Sequence, residues 1–160
     1  MKRLSVYIFF VFIGCSKLFA QDNDLQLAKQ YVSDGEQQKA LDIYQKLYKK
    51  DNETYFPVYF SCLLNLKKFD DAINLAKKMI RKHPDDDQYI ILLGTAYTQQ
   101  GSIEKANSLY DELIKNLPAD QSQIAMLAAQ FYQNANIDYA VKIFLQGRKL
   151  LHSDILFSYE

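Results

Sequence analysis

Glycine and proline are scarce in this sequence of 160 residues, which contains five glycines and three prolines. So few turn-forming residues argue against a turn-rich β-sandwich, and a hydrophobic content of 49% argues against intrinsic disorder. Net charge is also absent, because 19 lysine and arginine residues balance 19 aspartate and glutamate residues. A neutral chain has no general field that attracts nucleic acid, so nucleic-acid binding is disfavoured. We expect a compact helical protein.

The apolar run at the N-terminus, Leu4–Gly14, is about half as long as the roughly 20 residues that a membrane-spanning helix needs. It follows the basic residues Lys2 and Arg3, and the small residue Ala20 lies shortly after it. This pattern predicts a signal peptide over residues 1–20 and therefore an exported, periplasmic protein. Cleavage after Ala20 removes three basic residues and no acidic residue, which leaves the mature chain with a net charge of −3.

Cys15 leaves a second outcome open for this leader. Phe12-Ile13-Gly14-Cys15 partly resembles a bacterial lipobox, in which lipidation of the cysteine anchors the protein in the outer membrane. Leu18-Phe19-Ala20-Gln21 instead resembles the signal-peptidase-I site of exported Bacteroidetes-type proteins, and we favour this alternative. Cleavage there leaves Cys62 as the sole cysteine, so no intramolecular disulfide can form. The apolar neighbours of Cys62 predict a buried thiol.

Residues with catalytic or metal-binding chemistry are few. His83 and His152 are the only histidines, and no pair of cysteines or histidines has the spacing of a zinc site. A glycine-rich phosphate loop and a nucleophile elbow are both absent from the sequence. Asp85-Asp86-Asp87 lacks the alternating ligand spacing of an EF-hand, and we interpret it as a solvated turn. The sequence therefore predicts no cofactor, no metal site and no enzymatic activity.

The sequence does contain an internal repeat. Four alanines, at positions 40, 72, 106 and 140, are separated by 32, 34 and 34 residues. Around each alanine, apolar residues recur at positions i, i+3, i+4 and i+7, which is typical of amphipathic helices. Gly35 and Gly101 fall between two such helices, and Pro84 and Pro118 follow the second helix of a pair. Each unit of about 34 residues is therefore a predicted helical hairpin.

The pattern of aromatic, glycine and alanine residues resembles the tetratricopeptide repeat (TPR) family. The most similar unit contains Leu93-Gly94, Tyr97, Gly101, Ala106, Tyr110 and Pro118. We predict four repeats over residues 21–154, with bounds of about 21–52, 53–86, 87–120 and 121–154. The resemblance implies an all-α fold, a right-handed superhelical array of antiparallel helix hairpins. Residues 155–160 correspond to the start of a fifth repeat, so we expect the array to continue beyond Glu160.

In the TPR family, the first helices of successive repeats line a concave groove that binds peptides and partner proteins. The resemblance therefore implies a groove lined by residues that lie off the packing stripes of these helices. The candidates are Lys29, Ser33, Ser61, Asn65, Thr95, Thr98, Gln99, Tyr132 and Gln133. Most are polar and uncharged, and only Lys29 and Asn65 resemble members of the clamp that binds acidic C-termini in this family. A carboxylate clamp is therefore disfavoured.

These observations predict an exported, non-catalytic scaffold that binds a protein or peptide partner in the groove, with no nucleic acid bound. Association with a membrane is expected only if Cys15 is lipidated. One alternative is a module that binds glycan or peptidoglycan of the cell envelope, in which groove tyrosines such as Tyr132 stack on sugar rings. Another is a recruitment segment of a longer protein with a downstream catalytic domain.

Overall fold

A computed structural model describes residues 23–153, and in this range it contains eight α-helices and no β-strand. The helices are α1 (23–33), α2 (Gln37–Lys50), α3 (Asn52–Asn65), α4 (Phe69–Lys82), α5 (Asp87–Gln100), α6 (Ile103–Lys115), α7 (Gln121–Gln133) and α8 (Ile137–Leu150). The predicted all-α class is confirmed. The predicted signal peptide with Cys15, and residues 155–160, lie outside the described residues.

The chain divides into two compact units between Lys68 and Phe69, within the second predicted repeat. In the first unit, α2 packs against α3. In the second unit, α5 packs against both α4 and α6, and α7 packs against α8. The hairpin α5–α6 meets the hairpin α7–α8 through contacts of α5 with α7 and of α6 with α8. The second unit thus contains two complete, directly stacked hairpins.

The turns that follow α1, α3, α5 and α7 have the same conformation whether or not they contain glycine. Gly35 and Gly101 have φ angles of 79° and 89°, as the predicted turns require. At the equivalent positions, Lys67 and Ala135 have φ angles of 57° and 56°. The next residue in each turn donates its backbone N–H to a carbonyl five residues earlier, at 2.8–2.9 Å. The positive φ angle therefore recurs in all four turns, although only two of them contain glycine at this position.

Aspartate caps the start of three first helices. The side chains of Asp51, Asp86 and Asp120 accept hydrogen bonds of 3.1, 3.0 and 2.8 Å from backbone N–H groups in the first turns of α3, α5 and α7. The hydroxyl of Ser122 and the backbone N–H of Gln123 stabilise the ionised form of Asp120 and lower its pKa. These caps fix where each first helix begins.

The repeated alanines are buried as predicted, with Ala40, Ala72, Ala106 and Ala140 all 5% exposed or less. In the second unit the core is centred on Tyr110, which is 2% exposed. Its ring makes edge-on contacts with Phe131 and Tyr139, with centroids 4.9 and 4.8 Å apart. Its hydroxyl donates a hydrogen bond of 3.2 Å to the carbonyl oxygen of Ile91. Tyr110 therefore joins the hairpins α5–α6 and α7–α8.

Two helices depart from a simple i, i+3, i+4, i+7 stripe of buried residues. In α1, Leu27 is 41% exposed although it adjoins the buried Ala28. In α5, Ile91 is completely buried, whereas Ile90 is half-buried. The helix α5 is contacted by α4, α6 and α7, so it buries a wider arc than a single stripe.

Cys62 is buried, as its apolar neighbours predict, and is 3% exposed. Its sulfur lies 3.5 Å from the carbonyl oxygen of Gln37. Burial raises the pKa of the thiol, which disfavours the reactive thiolate. In the folded state this cysteine is thus a packing residue.

Candidate protein-interaction surface

In the first unit, the predicted groove residues all have exposed side chains. Lys29 and Ser33 lie on α1, and Ser61 and Asn65 lie on α3. The Ser33 hydroxyl donates a hydrogen bond of 2.7 Å to the carbonyl oxygen of Gln30, in the same helix. The amide of Asn65 and the ammonium of Lys29 are therefore the strongest polar groups that these positions offer.

In the second unit, the predicted groove residues lie on two helices that contact each other, α5 and α7. Thr98, Gln99, Tyr132 and Gln133 are exposed, and Thr95 is half-buried. The hydroxyls of Thr95 and Thr98 each donate a hydrogen bond of 3.0 Å to a carbonyl one turn earlier in α5. These two side chains therefore have their donors occupied, while the glutamine amides stay free to bind a ligand.

The exposed and half-buried positions on one side of α5 recur in α7 with the 34-residue period. We call this surface the α5–α7 face, and its residues are Gln88, Leu92, Thr95 and Gln99 on α5 and Ser122, Met126, Ala129 and Gln133 on α7. The amides at its two ends can donate and accept hydrogen bonds. At its centre Leu92 is half-buried, and Met126 is 60% exposed. The face therefore offers an apolar centre between polar ends.

An acidic cavity adjoins Met126. It has a volume of about 270 Å³ and is lined by residues that include Asp85, Asp86, Asp87 and Gln130. Burial and the neighbouring charge of Asp86 raise the pKa of Asp87. The Oε1 atom of Gln130 is buried and has no hydrogen-bond partner. A cationic group that entered this cavity would reduce the electrostatic repulsion between the carboxylates. A hydrogen-bond donor on the same group could bind the Oε1 atom of Gln130.

Two of the predicted groove residues line cavities beside the α5–α7 face. Thr98 lines an open cavity of about 630 Å³ together with residues of α6 and α8, including Asn107 and Lys142. Tyr132 is 66% exposed and lines a cavity of about 290 Å³ between α7 and α8. Apart from the Tyr132 hydroxyl, the side chains that line this second cavity are apolar. Tyr132 therefore belongs to a mostly apolar surface, in contrast to the α5–α7 face with its polar ends.

Sequence reasoning missed Leu92 and Met126, the apolar centre of the α5–α7 face. The predicted groove residues are mostly polar, whereas a methionine among apolar neighbours resembles a core residue. The signal that could have found them is the repeat itself, because Leu92 and Met126 are 34 residues apart. The same shift relates Gln99 to Gln133, which the prediction included.

Between residues 23 and 153, no helix combines the length and apolar character needed to cross a membrane. The same range contains no group of three or more histidine, cysteine, aspartate or glutamate side chains placed to hold a metal ion. The α5–α7 face offers an apolar surface, amide hydrogen bonds and a local negative charge.

Residues 63–131 match the family model of the tetratricopeptide repeat. Among solved structures, MamA from residue 41 to its end, from Desulfovibrio magneticus RS-1, is similar at 18% identity. The match covers 84% of this chain and 77% of that chain, with a TM-score of 0.48. A crystal structure of MamA is similar at 19% identity, with 82% of this chain and 78% of that chain covered and a TM-score of 0.48. No curated protein matches the sequence.

Proposed function

We propose that this protein is a non-catalytic scaffold that binds a protein or peptide partner on the α5–α7 face, and the match of residues 63–131 to the tetratricopeptide repeat model supports this. The observation that carries the proposal is the exposure of Met126, which is 60% exposed at the centre of a repeated surface. Burying the exposed part of this side chain removes apolar surface from water, which favours complex formation. Methionine also adapts its shape to different partners, which suits a binding surface.

The surroundings of Met126 favour a partner segment that combines an apolar and a basic side chain. The apolar side chain would cover Met126, and the lysine or arginine would enter the acidic cavity lined by Asp85, Asp86 and Asp87. The amides of Gln99 and Gln133 can pair with the backbone of a bound peptide. A basic segment also matches the net charge of −3 expected after removal of the leader.

The test uses site-specific crosslinking followed by a direct binding measurement. A photoreactive residue at Gln133 should capture a defined partner, and one at Lys115, an exposed position of α6, should not. For the identified partner, Met126→Glu should raise the Kd at least about tenfold, which corresponds to 1.4 kcal/mol. The matched control Ser108→Glu adds the same charge at an exposed position of α6 and should leave the Kd unchanged. Equal crosslinking at both positions, or equal effects of both substitutions, would contradict the proposal.

We also propose that the protein is exported to the periplasm after removal of residues 1–20. The support comes from the sequence, where Lys2 and Arg3 precede an apolar run and Ala20 precedes Gln21. Mass spectrometry of the mature protein should find Gln21 at the N-terminus. A diacylated or triacylated Cys15 would instead identify an outer-membrane lipoprotein.

A second candidate function is binding of an envelope glycan through Tyr132. Its 66% exposure favours this candidate, because an exposed aromatic ring can stack on the apolar face of a sugar. Saturable binding of peptidoglycan fragments that is lost in Tyr132→Ala and kept in Met126→Glu would support it. Absence of such binding would leave the protein-binding proposal unaffected, since that proposal depends on Met126.

A further inference from the structure

The outer face of α7–α8 is equivalent to a surface that is covered in the preceding hairpin. A shift of 34 residues relates Gly94, Ala106 and Tyr110 of α5–α6 to Ala128, Ala140 and Phe144 of α7–α8. Phe131 and Tyr139 of the next hairpin pack against the ring of Tyr110. Ala128, Ala140 and Phe144, in contrast, line an open cavity of about 290 Å³. This surface has the composition of a hairpin-stacking surface.

Exposed apolar side chains surround this cavity. Ile137, Val141 and Leu145 follow one another at four-residue intervals on α8 and are 58%, 49% and 48% exposed. We call them the α8 stripe. Tyr132, on α7, is 66% exposed beside it. Among the described residues, most of the exposed large hydrophobic side chains belong to this one surface, and such a concentration marks an interaction site.

The surface contains both a protruding group and a cavity. Tyr132 projects beside a cavity lined by Ala128, Ala129 and Phe144. The Tyr132 side chain of one copy can therefore enter the cavity of a second copy. An interface between two identical surfaces related by a two-fold axis requires this self-complementarity. The cavity is lined by no charged side chain, so two copies of equal net charge can meet without a buried like-charge pair.

Two exposed charged residues lie along one side of the α8 stripe. Asp138 and Lys142 are four residues apart and lie on the same side of the stripe. The Lys142 ammonium is 4.1 Å from the centroid of the Tyr139 ring, which holds it at the edge of the surface. If two α8 helices pair in antiparallel orientation, Asp138 of each copy lies near Lys142 of the other. The charges therefore favour a two-fold pair of like chains.

We propose that a second copy of this chain covers the surface, with the two α8 stripes packed antiparallel and Val141 of each copy close to the two-fold axis. Tyr132 of each copy then fills the cavity of the other. Met126 stays accessible in such a dimer, because Met126 and Ala128 point in directions roughly 160° apart on the same helix, although Ala129 of the α5–α7 face lines the covered cavity. The dimer and the proposed partner site can thus be tested separately.

The test is sedimentation velocity of the purified full chain over about a hundredfold range of concentration, since dimerisation follows mass action. The wild-type chain should shift from monomer to dimer as the concentration rises. Val141→Glu should keep the chain monomeric over this range, because it places a charge in the apolar centre. The matched control Met126→Glu adds the same charge at a similarly exposed position and should dimerise like the wild type. Circular dichroism of both variants verifies that the helices are retained.

A charge reversal provides an independent arm. Asp138→Lys should weaken the dimer by placing like charges in contact, and the double variant Asp138→Lys/Lys142→Asp should restore it. A wild-type chain that is monomeric at every concentration overturns the proposal. So does a dimer that Val141→Glu leaves unchanged, and so does a double variant in which dimerisation is not restored. A chain that dimerises only after deletion of residues 154–160 also overturns it, and identifies that segment as the occupant of the surface.

Discussion

The ring of Tyr110 lies directly over the backbone of Gly94, so a Cβ atom at Gly94 would overlap with it. Tyr110 cannot move aside easily, because its hydroxyl is bound to the carbonyl of Ile91 and its ring is held by Phe131 and Tyr139. Because position 94 has no side chain, the Tyr110 ring of α6 can pack directly against the backbone of α5.

Gly94→Ala should destabilise the protein by about 1–3 kcal/mol despite the better helix propensity of alanine, because the added methyl overpacks the core. Thermal unfolding followed by circular dichroism measures the effect. In a double-mutant cycle, Gly94→Ala should cost less in a Tyr110→Leu background, where the ring is gone. Strict additivity of the two changes would show that the ring is not the obstacle.

Glycine should be preferred at the turn between α7 and α8. Ala135 has a φ of 56°, which disfavours any residue with a Cβ atom, and Gly101 occupies the equivalent position after α5 with a φ of 89°. Ala135→Gly should stabilise the protein by about 0.5–1 kcal/mol, and Gly101→Ala should destabilise it by about 1 kcal/mol. Chemical denaturation of both variants gives the two values. Changes of the same sign would refute the common turn geometry.

The tyrosine at position 139 should make stability sensitive to alkaline pH. Burial, the negative charge of Asp111 and a 3.2 Å hydrogen bond to that carboxylate raise the pKa of Tyr139 from 10.0 to about 12. Below pH 10 the tyrosine keeps its proton in both folded and unfolded chains, so its contribution is complete. Between pH 10 and 12 the unfolded chain ionises first, and stability falls. Tyr139→Phe should show a shallower fall over this interval in pH-dependent denaturation curves, whereas an unchanged slope would contradict the assignment.

Ala106 should tolerate no larger side chain. It is 1% exposed where α6 approaches α5, so Ala106→Leu should overpack the hairpin and cost about 1–3 kcal/mol. Ser108→Leu adds a side chain of the same kind at an exposed position of α6 and serves as the control. A comparison of melting temperatures checks the prediction, which requires a fall in the first variant and little change in the second.

The sequence predicted the helices well because their signals are local and repeated. The alanine period and the apolar spacing place Ile124, Leu127, Ala128 and Phe131 on one face of α7, and the structure buries all four. The candidate site was predicted less completely. Gln99 and Gln133 do lie on the exposed face of α5 and α7, but Met126 was missed, because periodicity alone does not distinguish an exposed methionine from a buried one.

By itself, the sequence determined the all-α class, the 34-residue period and the positions of the turns, since each depends on residues that are close along the chain. Only the tertiary structure decided which side of each helix is covered by a neighbour. Ile91 is buried because α4, α6 and α7 surround α5, while Val141 is 49% exposed because no described helix packs on that side of α8. Burial depends on contacts between distant segments, and a local pattern of apolar residues does not specify how many neighbours a helix has.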